Sequence, residues 1–67
     1  MDKETLRDFL RWLDTASEEE LLARQADLIQ LKARVHDRNV RRDINHLLRR
    51  IDEERLVRWE VQQLGRR

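Results

Sequence analysis

The sequence predicts an all-α protein, and three observations carry that prediction. Its 67 residues include no proline, one glycine and only 4% aromatics, so the turn residues and pleat-filling side chains of a sheet are missing. Apolar residues make up 39% of the chain and recur at three- and four-residue spacing, the period of a helix face. Charged residues make up 43%, yet the net charge is only +1, which fits solvated helix faces and argues against disorder.

The expected architecture is a short N-terminal helix followed by a long antiparallel helical hairpin, dimerising into a bundle, with residues 1–67 forming a single helical domain. A core this small gives roughly 3–5 kcal/mol, and small domains add disulfides, metals or a partner surface. Without cysteine, disulfides and thiolate zinc sites are excluded, so self-association is the expected supplement.

Helix 1 is placed at about residues 3–14, where Leu6, Phe9, Leu10 and Leu13 fall at i, i+3, i+4 and i+7 on one stripe, with Trp12 beside it. Asp14-Thr15-Ala16-Ser17 breaks that pattern. Both Thr15-x-x-Glu18 and Ser17-x-x-Glu20 have the form of a capping box for a second helix at about residues 18–35. Glu18, Glu19 and Glu20 would complement its positive N-terminal dipole.

Helix 2 carries two apolar stripes. Leu22, Ala26, Ile29 and Ala33 form the first, expected to be the packing and self-association seam because its alanines allow close helix approach. Leu21, Leu28 and Val35 form a neighbouring stripe. His36-Asp37-Arg38-Asn39 is a run of weak helix formers with Asp37 as a good N-cap, so a tight turn is expected there. Helix 3 is placed at about residues 38–64, with Val40, Ile44, Leu47 and Ile51 on its inner stripe and Gly65 as the residue that ends it.

The alternative is one long helix from about Glu18 forming a coiled coil. The spacing of Leu22, Ala26, Ile29 and Ala33 recurs in Val40, Ile44, Leu47 and Ile51 at an offset of 18 residues, which is five whole turns. Both stripes would stay in phase on such a rod.

Basic side chains are mostly arginine, 13 against two lysines, and they are unevenly spread. Residues 1–20 hold three basic and seven acidic groups, whereas residues 21–50 hold eight basic and three acidic. Lys32, Arg34, Arg38, Arg41 and Arg42, with His36, cluster around the expected turn. Such a tip could grip phosphates or an acidic protein patch. It could equally be a solvated surface whose arginines pair with Asp37, Asp43 and the acidic first helix. A dedicated nucleic-acid protein usually has a pI above about 9, and here it is 8.4.

Leu56 and Trp59 mark the other candidate surface, because tryptophan is enriched at interface hot spots. No catalytic residues are identified. Ser17 is better explained as a cap than as a nucleophile, and Asp52, Glu53 and Glu54 stand at ion-pair spacings from Arg49, Arg50, Arg55 and Arg58. His36 and His46 form no metal-ligand pair, and one glycine near the end rules out a phosphate loop, so no metal, cofactor or small-molecule substrate is expected.

No apolar run reaches signal-peptide or membrane-spanning length, so a cytoplasmic protein that does not engage membranes is expected. In architecture the chain resembles small helical accessory or inhibitory proteins encoded by bacteria and their phages, an analogy at fold level. The functional expectation is a non-enzymatic, homodimeric module that binds another protein and occludes its surface. The alternative is a nucleic-acid-binding accessory protein using the arginine-rich region around residues 32–42.

Overall fold

The computed structural model describes residues 1–65 and is all-α: α1 (Lys3–Thr15), α2 (Glu18–Arg34) and α3 (Arg38–Gly65). Helices α1 and α2 are joined by two extended residues, Ala16 and Ser17. Thr15 does not cap α2; its hydroxyl turns back to the Arg11 and Trp12 carbonyls of α1. Ser17 does cap it. Its Oγ accepts from Glu20 N at 3.1 Å while Glu20 Oε1 accepts from Ser17 N at 3.2 Å, the reciprocal pair that satisfies two otherwise unpaired amides.

Helix α2 stops at Arg34. Val35 is extended, and Asp37 opens α3 by accepting the Asn39 and Val40 amides on Oδ1 at 2.8 and 3.1 Å. Two competing local preferences therefore interrupt the in-phase stripes at residues 35–37. From there α3 runs back along α2. Arg41 meets the Lys32 and Val35 carbonyls near the turn, and Gln25 Nε2 donates to Asp52 Oδ1 at 2.8 Å about three turns further on.

Helix α1 lies against both. Its start places the Met1 ammonium 3.2 Å from Asp43, and near its end Arg58 Nη2 donates to the Leu13 carbonyl at 3.0 Å. Helices α1 and α3 thus run the same way and α2 runs opposite.

The core consists of Leu13, Ala16, Leu21, Leu28, Ile44 and Ile51, with Phe9, Leu10, Trp12, Val35, Leu47 and Leu48 packed around it. The α1 stripe and, on α3, Ile44, Leu47 and Ile51 face inward as expected from their spacing. On α2 the two stripes separate: Leu21, Leu28 and Val35 face the core, whereas Leu22, Ala26, Ile29 and Ala33, expected as core or self-association positions, are exposed and take no part in the core of the single chain. The reason lies in side-chain size. A stripe of two leucines and a valine removes more apolar surface from water per layer than one in which every second residue is alanine.

Val40, expected on the inner stripe of α3, is exposed beside the turn. Gly65 belongs to α3 with no positive φ, so it is not a left-handed capping residue. No described helix is long and apolar enough to cross a membrane.

Candidate functional site

Helix α3 has 28 residues, about 42 Å at 1.5 Å per residue, against 17 in α2. Its C-terminal part therefore outruns its partners. Trp59 already stands beside Glu18, the first residue of α2, in a shallow cleft completed by Arg55, Arg58 and Gln62. Beyond that point no described helix covers α3.

The sequence places exposed apolar residues in this part of α3 and just before it, where Val57 borders a hollow shared with Leu10 and Leu13 of α1. Leu56, Val57, Trp59, Val61 and Leu64 are each more than half exposed, from 53% at Val57 to 68% at Leu64. Val57, Val61 and Leu64 share one stripe at i, i+4 and i+7, and Leu56 and Trp59 share another at i and i+3. Exposed apolar clusters rimmed by charge are the kind of feature from which interaction surfaces are built.

The rim is supplied by Arg55 and Arg58. Arg58 is held by Glu54 at 2.9 Å and by the Leu13 carbonyl. Arg55 reaches Gln25 Oε1 at 3.4 Å through Nη1, but its Nε is buried and has no hydrogen-bond partner among the described residues. A buried, unpaired donor on a guanidinium is energetically expensive.

The two expected candidate residues here, Leu56 and Trp59, are thus exposed on one segment. Val57, Val61, Leu64 and Arg55 were not singled out from the sequence. The i, i+4, i+7 spacing of the three aliphatics, out of phase with Ile44 and Ile51, was the available signal.

The basic cluster divides differently from the expectation. Arg41 is half-buried, and its Nη1 donates to the Lys32 carbonyl at 2.8 Å and to the Val35 carbonyl at 3.1 Å. It closes the end of α2 and does not project as a ligand-binding side chain. Lys32 is half-buried; Arg34, Arg38 and Arg42 are exposed. The acids expected to neutralise them are engaged elsewhere, Asp37 as a cap and Asp43 with the Met1 ammonium. On the outer face of α3, Arg42, Asn45, His46 and Arg49 line a second shallow depression.

The remaining ion pairs among the described residues are Arg50 with Glu53 at 3.9 Å and Arg58 with Glu54 at 2.9 Å, both at helical spacing. Asp52 instead accepts from Gln25.

Trp12 is half-buried, its ring 5.5 Å from that of Phe9 and 4.8 Å beneath the Arg24 guanidinium. It is part of the α1–α2 packing. Compared with protein-family models, curated proteins and solved structures, the chain returns no match.

Proposed function

We propose that the protein works by binding and not by catalysis, as a small accessory or inhibitory module that covers a surface of another protein. The observation that carries this reading is the uncovered end of α3, where five large apolar side chains are exposed within nine residues. Trp59 at its centre is the natural anchor, because aromatic side chains contribute disproportionately when a partner encloses them. Arg55 and Arg58 beside it line the same cleft and give the apolar cluster a polar edge. The place of action in this reading is the cytoplasm.

The test is a comparison of immobilised wild-type protein with its Trp59→Ala variant, read by mass spectrometry of retained proteins. A specific protein held by the first and released by the second supports the reading. Identical retained sets for the two would refute it.

A second reading has one observation in its favour. Arg38, Arg42 and Arg49 share the outer face of α3 and form no ion pair among the described residues. A phosphate backbone could lie along that face, with Asn45 and His46 as additional donors.

A further inference from the structure

The exposed stripe of α2 is a second unpartnered apolar face. Leu22, Ala26, Ile29 and Ala33 follow a four-three-four spacing, the repeat of a coiled-coil seam. Leu22 and Ile29 remain exposed, Ile29 at 54%, although Leu21 and Leu28 next to them in sequence are buried in the core. The stripe also points away from α1. Arg24 lies over Trp12 of α1, and Leu22 and Ile29 stand about 160° and 140° around the helix from Arg24 at about 100° per residue.

The order of large and small residues on this stripe is self-complementary. When a second α2 is laid antiparallel, with the two-fold axis between Asp27 and Leu28, Leu22 meets Ala33 of the second copy and Ala26 meets its Ile29. Every layer then pairs one large side chain with one alanine, which lets the helices approach closely without leaving a void. A parallel pairing in register would set leucine on leucine and alanine on alanine, alternating overfilled and empty layers.

The charges follow the same symmetry. The first turn of α2 carries Glu18, Glu19 and Glu20, and its last turn carries Lys32 and Arg34. Glu20 is engaged in the capping box, Glu18 lines the Trp59 cleft and Lys32 is half-buried, so the charges available to the antiparallel pair are the exposed Glu19 and Arg34, which lie on the same flank of the seam and meet across it. The helix dipoles are also opposed. In a parallel pair like charges would meet at both ends.

We propose that the occupant of this face is a second copy of the chain, joined through α2 in an antiparallel, two-fold symmetric seam of Leu22, Ala26, Ile29 and Ala33. Such a dimer carries two copies of the Trp59 surface. The arrangement does not depend on what Trp59 binds.

The chain has no native cysteine, which allows a clean test. In the antiparallel seam Leu22 and Ala33 of opposite copies are neighbours, whereas the two Leu22 positions lie about 16 Å apart along the axis at 1.5 Å per residue. Mixing Leu22→Cys with Ala33→Cys protein under a mild oxidant is expected to give a covalent dimer containing one of each. Leu22→Cys alone is expected to give little. Sedimentation equilibrium through the micromolar range should show a dimer that Ile29→Lys weakens by at least about tenfold, with the circular dichroism of the variant unchanged because the position is exposed. A wild-type chain that remains monomeric throughout overturns the proposal, as does preferential linkage of two Leu22→Cys chains to each other in the mixture. A monomer that still loses a bound protein on Trp59→Ala overturns the dimer while leaving the partner-binding reading intact.

Discussion

Arg41 on α3 and Val35 at the end of α2 are joined by a 3.1 Å hydrogen bond from Nη1 to the Val35 carbonyl, and the same nitrogen reaches the Lys32 carbonyl at 2.8 Å. The guanidinium thus occupies the negative end of α2, where the last carbonyls have no amide partner of their own. Replacing Arg41 with Ala is expected to destabilise the fold by about 1–3 kcal/mol, the range for hydrogen bonds to a charged group. Replacing its exposed neighbour Arg42 should change stability by less than about 0.5 kcal/mol. Urea denaturation of the two variants measures both values. Equal effects would show that Arg41 does not close the turn.

Arg58 does the corresponding work for α1. The last turn of α1 has no basic residue of its own, and Arg58 supplies the positive charge from α3 by donating to the Leu13 carbonyl at 3.0 Å. Arg58→Ala should therefore loosen α1 ahead of the α2–α3 pair. Amide hydrogen exchange is the appropriate readout: protection in α1 is expected to fall by roughly tenfold, about 1.4 kcal/mol, with a smaller change at Leu28 and Ile44. A uniform loss across all three helices would instead show that α1 and the hairpin open together.

The two leucines at the start of α2 make the sharpest comparison of faces. Leu21 is fully buried, whereas Leu22 beside it is exposed. Leu21→Ala is expected to cost about 2–5 kcal/mol, through lost burial and the cavity left behind. That is most of the stability of a domain this small. Leu22→Ala should leave thermal unfolding of dilute protein within a few degrees of wild type. The reverse order would place the alanine-containing stripe in the core.

That comparison also shows how far the sequence could be read. The helix class and boundaries were legible because period, caps and the lack of glycine and proline agree with one another: Ser17-x-x-Glu20 and Asp37 act as the local chemistry requires. The choice between the stripes of α2 was not, because both have helical period and only the number of packing partners decides which is buried. The roles of Arg41 and Arg58 were equally hidden. Their carbonyl acceptors lie 6 to 9 and 45 residues away in sequence, so no local pattern distinguishes them from the exposed Arg42 and Arg49.

The separation of Arg41 from the exposed arginines makes the phosphate reading testable on its own terms. Arg38, Arg42 and Arg49 fall on one side of α3, so a nucleic-acid backbone held there would displace counterions in proportion to the arginines engaged. Titration against a labelled duplex at two or more salt concentrations gives that number as a slope of log affinity against log salt. If this face is the site, Arg42→Ala and Arg49→Ala should each lower the slope by about 0.9, and Arg41→Ala should leave it unchanged while lowering stability. Trp59→Ala should have no effect on this affinity, since its side chain stands at the far end of α3. No binding at low salt, or binding indifferent to Arg42 and Arg49, removes this reading and leaves the proposed apolar surface of α3 to be tested by its own experiment.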